Sequence, residues 1–227
     1  FDLETDSLNV IDANLVGVAI CLSVKRSYYI PLAHKDENGK IIKEQIDFKE
    51  ALKQLNNILS NSSLAKIGHN IKYDIAVLKR YKIDVVSFED TMLMSYINDA
   101  GNHRHGMDEL AKVHFNRDTI KFKDVVGTGK SQITFDYVEI EKAIEYAAED
   151  AEITFKLYLL LKKKLSEGKN ISAYNYLEKP LVASILEMEI NGIKINTEYL
   201  QSLSSEFEKK INSLEKAIFK LCGVEFN

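Results

Sequence analysis

The stretch Leu15-Val16-Gly17-Val18-Ala19-Ile20-Cys21-Leu22-Ser23 is apolar almost throughout and lies between polar turns. A short apolar run with such flanks reads as a buried strand. Val24-Lys25-Arg26 suits a hairpin into a second strand over residues 27–32, ended near Pro31. Upstream, the segment around Asp2 and Glu4 is a first strand, so the chain opens as a meander. Further along, short strands are expected over 64–68 and 83–86, now alternating with helical patterns. Asp47 opens a helix with Phe48, Leu52, Leu55 and Leu59 at helical spacing. Asn70 is expected to cap a helix running to about Tyr81, with Ile71, Ile75 and Leu78 inward. Asp90 opens another to about Asn98, and Met107–Phe115 a third. Residues 136–167 form one long helical pattern of roughly 45 Å. A meander followed by alternating strands and helices is an α/β layer fold, with a mixed sheet flanked by helices.

Composition narrows the class. The 227 residues are 45% hydrophobic and 28% charged, with ten Gly and two Pro, which excludes disorder and collagen-like structure. No apolar run approaches the roughly 20 residues that a membrane span needs. The two cysteines, Cys21 and Cys222, sit in apolar settings and are expected as buried or semi-buried thiols of a reducing cytoplasm rather than a disulfide. The chain opens on Phe1 with neither Met nor a signal peptide and is expected to start at a cut edge. A net charge of −4 gives no global basic footprint, so a nucleic-acid partner would need local patches or metal ions to offset phosphate repulsion. A boundary is expected near Gly168-Lys169-Asn170, dividing residues 1–170 from a helical 171–227. In the second part, Pro180 kinks or restarts a helix over 174–190, and Gly192 ends it. A further helix over 198–221 carries an apolar stripe (Leu200, Leu203, Phe207, Leu214, Ile218, Leu221) that should pair with a neighbouring helix.

Three constellations carry chemistry. Asp2 and Glu4, two apart on a strand, project to one face, where paired carboxylates repel unless a cation lies between them. Asn70 and Asp74 are a turn apart at a helix start, and Tyr146 and Asp150 a turn apart within the long helix. Singly, each also fits a polar strand end, a capped helix or a surface pair. Their joint order is more specific.

In that order, Phe1-Asp2-Leu3-Glu4-Thr5-Asp6-Ser7-Leu8, Gly68-His69-Asn70-Ile71-Lys72-Tyr73-Asp74 and Tyr146-Ala147-Ala148-Glu149-Asp150 resemble the three motifs of the DnaQ-like, RNase H-related 3′–5′ exonucleases. More narrowly, the chain resembles the bacterial family A DNA polymerases of the polymerase I type. Asp90-Thr91-Met92, residues 104–111 and residues 129–135 add to the likeness, and residues 177–181 and 188–195 are similar to the entry into the polymerase thumb. The resemblance implies an RNase H-like exonuclease domain over 1–170 and the start of the thumb over 171–227, with palm and fingers beyond. It implies two divalent cations, Mg²⁺ or Mn²⁺, with Asp2 bridging both, Glu4 and Asp150 completing the first site, and Asp74 holding the second through water. Tyr146 and Glu4 would orient the attacking water, Leu8 and Phe135 would contact or wedge the terminal bases, and Asn70 and Tyr73 would support the site or touch the 3′-terminal nucleotides. The partner implied is DNA with a single-stranded or frayed 3′ end, with the rest of the polymerase in the same chain. A cytoplasmic monomer without a membrane is expected. His69 stands where Gln is expected for the family, beside the carboxylate set rather than in it. An RNA-processing exonuclease of the RNase D kind shares the three motifs, and a non-catalytic DNA-binding scaffold could share the fold. The thumb-like segment argues against the first, and the intact carboxylates against the second.

Three other features are weaker. Gly127-Thr128-Gly129-Lys130-Ser131 ends like a phosphate-binding loop, but Asp124 stands where that motif needs Gly. His103-Arg104-His105 lies in a loop and is assigned no metal, for want of acidic or Cys partners nearby. Lys162-Lys163-Lys164 suits the C-terminal turn of a long helix, which favours cations.

Overall fold

The computed structural model describes residues 1–226. Strands β1 (Asp2–Thr5), β2 (Leu15–Ser23) and β3 (Arg26–Pro31) form an antiparallel sheet in the order 1-2-3. Register sets Asp2 opposite Ala19, Leu3 opposite Val18 and Glu4 opposite Gly17. The pleat therefore sends Leu3 into one core and the two flanking carboxylates to the other face. A second, parallel pair joins β4 (Lys66–Gly68) to β5 (Phe88–Asp90). Antiparallel and parallel pairing are both present, but in two ladders. The Phe1 ammonium links them by donating to the Ile67 carbonyl at 2.6 Å.

The strand expected over 83–86 is instead coil, and pairing begins at Phe88. Ile83 is buried and Val85 half-buried as core contacts of a loop, so their apolar character marks packing and not a ladder.

Helices α1 (Phe48–Leu59), α2 (Lys72–Arg80), α3 (Thr91–Asp99), α4 (Met107–Phe115), the short α5 (Phe122–Val126) and the long α6 (Ile140–Glu167) surround the strands. The Asp47 carboxylate caps α1 as expected, accepting from Glu50 N at 2.9 Å. α2 departs from expectation. Asn70 is exposed with φ 58°, lies outside the helix and offers no cap, so it does not share a helix face with Asp74. The cap comes from Asp90, whose oxygens accept from Asn70 N at 3.2 Å and Ile71 N at 3.0 Å. The same carboxylate caps α3 through Met92 N at 2.8 Å and Leu93 N at 3.3 Å. Burial raises its pKa, and these four N–H groups oppose the rise.

α6 lies on the sheet through Ala143, Ala147 and Ala151, one residue every turn, packed with Val16, Ala19 and Tyr29. Small side chains allow that close approach. Before α6, residues 135–137 form a 3₁₀ turn, so the helix starts four residues later than the pattern suggests. After it, α7 (Ile171–Ala173) runs through a π-turn (Tyr174–Glu178) into α8 (Lys179–Asn191). Pro180 sits in the first turn of α8, where its missing N–H leaves the ladder offset by that π-turn. Tyr174 is buried beside Met94 and Leu161, and its hydroxyl accepts from Asp90 N at 2.9 Å. Val182 and Leu186 pack on Ile71 and Ile75. The compact unit accordingly runs from Phe1 to Ile190.

The second unit begins at Asn191. Gly192 takes φ 64°, the left-handed conformation expected after a helix. α9 (Thr197–Cys222) is capped by the Asn196 side chain and closed by Gly223 at φ 73°. None of its residues is buried, so the packing expected of its apolar stripe is not made within this unit. Cys222 is exposed, contrary to expectation, while Cys21 is half-buried. No helix among the described residues is long and apolar enough to cross a membrane.

Candidate active site

The carboxylates meet where β1, α2 and α6 converge. One oxygen each from Asp2, Glu4 and Asp150 lies within 4.8 Å of the others. Glu4 is 6% exposed, Asp150 7% and Asp74 2%. Asp74 Oδ1 accepts from Leu3 N at 3.1 Å, which fixes α2 against β1 and leaves Oδ2 for other work. Glu4 Oε1 is buried without a hydrogen-bond partner. Buried acceptors are normally paired, so an orphan among three other carboxylates has the chemistry of a cation site. The donors are all hard oxygens, which suits a divalent ion of the Mg²⁺ or Mn²⁺ kind.

The electrostatics point the same way. Burial pushes the Asp150 carboxyl up to about 8, with Asp2 adding repulsion and the Tyr146 phenol opposing it. Burial pushes Asp2 up to about 6 against the Phe1 ammonium, which lowers it. Glu4 rises well above the ordinary range through burial, then through Asp2, Asp150 and Asp74; Asp74 rises through burial and then Asp2. The cluster resists carrying its full negative charge without a counter-ion.

Aromatic groups frame the carboxylates. Tyr146 stands one turn before Asp150, and burial with the charges of Asp150, Glu4 and Asp2 keeps its phenol protonated. Phe135 and Phe122 pack on it, with ring centroids 5.9 and 6.1 Å away. Phe135 is only 1% exposed, so it presents no face for a base and instead holds the Tyr146 ring. Leu8 is 86% exposed on the loop after β1. Tyr73 is half-buried and donates to the Ser7 carbonyl at 2.6 Å, tying α2 to that loop. Asn70 is exposed at the start of α2. His69 is buried beside Thr91, at 2.8 Å from its hydroxyl, away from the carboxylate set.

The supporting roles of three residues escaped sequence reasoning. Asp90 is legible as the cap of α3 and within a stretch that adds to the likeness, but not as the cap of α2. Tyr29, whose hydroxyl donates to His34 Nε2 at 2.7 Å, reaches the cluster from β3 and feels the Glu4 charge. Glu149 binds Arg117 and accepts from Ile120 N at 2.7 Å, anchoring the loop before α5. Asp90 and Glu149 stand in stretches that carry the likeness, but what they hold leaves no signal of its own, and Tyr29 leaves none beyond its ring. The glycines of 127–131 follow a helix, and residues 129–131 form one 3₁₀ turn, not a phosphate cradle. Lys162, Lys163 and Lys164 near the end of α6 are engaged within the protein, Lys162 with Tyr158, Lys163 with Glu167 and Lys164 with Asp99.

Residues 1–166 match the family model described as 3′–5′ exonuclease. The chain is 40% identical to DNA polymerase I of Rhizobium leguminosarum over 241 aligned residues, covering all of this chain and 24% of that protein. It is 36% identical to DNA polymerase I of Pseudomonas aeruginosa, again over its whole length and 25% of the relative. The chain thus spans about a quarter of the length of these relatives. Among solved structures, the POL domain of Pol1 from M. smegmatis, in complex with DNA primer-template and dNTP, superposes with a TM-score of 0.69 at 20% identity, over 99% of this chain and 34% of that one. Brucella melitensis NrnC with bound Mg²⁺ gives 0.61 at 20% identity over 84% of each chain. The fold is therefore shared with both, and the match over residues 1–166 makes this chain a member of the 3′–5′ exonuclease family of the family A DNA polymerases.

Proposed function

We propose that this chain removes nucleotides from DNA 3′ ends, as the proofreading exonuclease of a polymerase I acting in replication and repair. The observation that carries the reading is the mutually repelling set of half-buried Asp2 with buried Glu4, Asp74 and Asp150, with Glu4 Oε1 left without a partner. In the proposal, Asp2, Glu4 and Asp150 would hold one divalent ion, and Asp2 with Asp74, through water, would hold a second. Such ions, when bound, supply Lewis-acid stabilisation of phosphoryl charge and acidify water. The remaining work belongs to the protein. The Glu4 carboxylate and the Tyr146 hydroxyl hold the attacking water, and Glu4 takes its proton. Phe135 and Phe122 keep the Tyr146 ring in place. Leu8, exposed on a loop that Tyr73 fixes, meets the terminal bases, and Asn70, exposed at the start of α2, touches the 3′-terminal nucleotides. Residues 171–227 are proposed as the start of the polymerase thumb, and the working form as a monomer in the cytoplasm with the rest of the polymerase attached.

The test uses 5′-labelled single-stranded DNA and an RNA of the same sequence, with Mg²⁺ or Mn²⁺. Stepwise loss of 5′-mononucleotides from DNA is expected, with Asp150→Ala slower by several orders of magnitude, since it removes a clamp worth several kcal/mol. Equal rates in wild type and Asp150→Ala would overturn the mechanism, and preference for RNA would move the substrate to the RNase D class.

A further inference from the structure

We propose that Asp99, His103 and His114 form a second metal site, for a borderline transition-metal dication of the Zn²⁺ class. Asp99 ends α3, His103 lies four residues on in the α3–α4 connection, and His114 is in the last turn of α4. Folding supplies the partners that sequence spacing denied to His103. One donor atom from each residue lies within 4.8 Å of the other two, and none belongs to the carboxylate cleft. Asp99 Oδ2 and His114 Nε2 are both buried without a hydrogen-bond partner. His103 Nδ1 lies 2.7 Å from the Arg104 carbonyl, which can only accept, so Nδ1 carries the proton and Nε2 offers a lone pair. That Nε2 is 4.0 Å from Asp99 Oδ2. A ligating imidazole is characteristically oriented by such a hydrogen bond from its other nitrogen.

Two imidazoles and one carboxylate with a free fourth position suit Zn²⁺, Co²⁺ or Ni²⁺ and not Mg²⁺. Tetrahedral bonds of about 2.0–2.1 Å would need donors roughly 3.3 Å apart, a contraction that side-chain rotation can supply. Lys164 Nζ, 3.7 Å from Asp99 Oδ2, is the cation now facing the acid, and its half-exposed side chain can swing away. His105 stacks edge-on to His103, but neither of its ring nitrogens joins the group of donor atoms that Asp99, His103 and His114 form, so it is not counted as a ligand. The ion would staple the end of α3 to the end of α4, across the connection that both helices leave exposed.

The experiment is Co²⁺ titration of the 227-residue chain, followed by its visible absorption, with excess Mg²⁺ present to occupy the oxygen-only cleft. One Co²⁺ per chain is expected, displaced by Zn²⁺. His103→Gln, His114→Gln and Asp99→Asn, each verified as folded by circular dichroism, should weaken binding by more than about 100-fold, beyond the loss typical of an outer-shell partner. Wild-type affinity in any folded variant of the three would overturn the site, as would the absence of a Co²⁺ band in the wild type.

Discussion

Asp90 gathers four backbone N–H groups from the starts of two helices, and Tyr174 completes the arrangement by accepting from its own N–H. Replacing the carboxylate by a methyl group would leave those donors buried at both helix starts. Asp90→Ala should therefore cost about 2–4 kcal/mol, and Asp90→Asn less, because one acceptor oxygen survives. Urea unfolding measures this, and a loss below about 0.5 kcal/mol would mean that water replaces the carboxylate. Tyr146 poses a different question at the same scale. If its hydroxyl orients water and takes no part in holding ions, Tyr146→Phe should slow exonucleolysis roughly 10- to 100-fold and leave metal affinity unchanged. A drop in metal affinity as large as that of Asp150→Ala would exchange the two roles.

At the scale of elements, β2 was readable to the residue because apolar continuity bounded by turns has one structural meaning. Helix α1 was readable from its cap and 3.6-residue spacing and α3 from its Asp90 cap, and α4 spans Met107–Phe115 as expected. β5 was not, since Phe88-Glu89-Asp90 has no apolar alternation and is held by parallel pairing to a strand twenty residues away. The carboxylates were legible through their order along the chain. Their support was legible only in part: Asp90 and Glu149 stood in stretches of the likeness, but what they hold, like the reach of Tyr29, follows from contacts that only folding creates. Gly17 belongs to this hidden layer. It faces Glu4 across the β1–β2 ladder, and a Cβ there would overlap the Tyr29 ring and hydroxyl. Gly17→Ala should displace Tyr29, break its bond to His34 and destabilise by about 1–3 kcal/mol. In a Tyr29→Ala background the same substitution should be nearly neutral, a double-mutant cycle that separates overlap from β-propensity. Additive losses would place the cost in the strand backbone.

The whole molecule pairs a net charge of −4 with a buried acidic cluster, and stability should follow the protonation of that cluster. Asp150 at about 8, with Glu4 and Asp74 raised well above the ordinary carboxylate range, binds protons in the folded state at pH values where the unfolded chain has released them. Stability then falls as pH rises through the folded pKa values. The buried histidines His34 and His69, both lowered by burial, act in the opposite direction, but only below about pH 6.5, where the unfolded imidazoles take up protons. Between pH 6.5 and 8.5 the raised carboxylates outnumber the one group that opposes them there, the buried Phe1 amine, whose lowered pKa favours the folded state as pH rises. Without divalent ions the chain should lose on the order of 1–3 kcal/mol across that window, since one proton contributes at most about 1.4 kcal/mol per pH unit and a coupled cluster shares few. At roughly 2–4 °C per kcal/mol, the melting temperature should fall by several degrees. Saturating Mn²⁺ should reverse the trend, because the ions compete with protons for the same oxygens and bind the folded cleft better as pH rises. At a hundred times the dissociation constant the ions add about 2.7 kcal/mol. Asp2→Ala, lacking the proposed bridging ligand, should show neither the reversal nor most of the added stability. The measurement is a set of thermal melts at pH 6.5, 7.5 and 8.5, with chelator or Mn²⁺, for both proteins. Parallel pH profiles with and without Mn²⁺ in the wild type would place the ions outside the cleft.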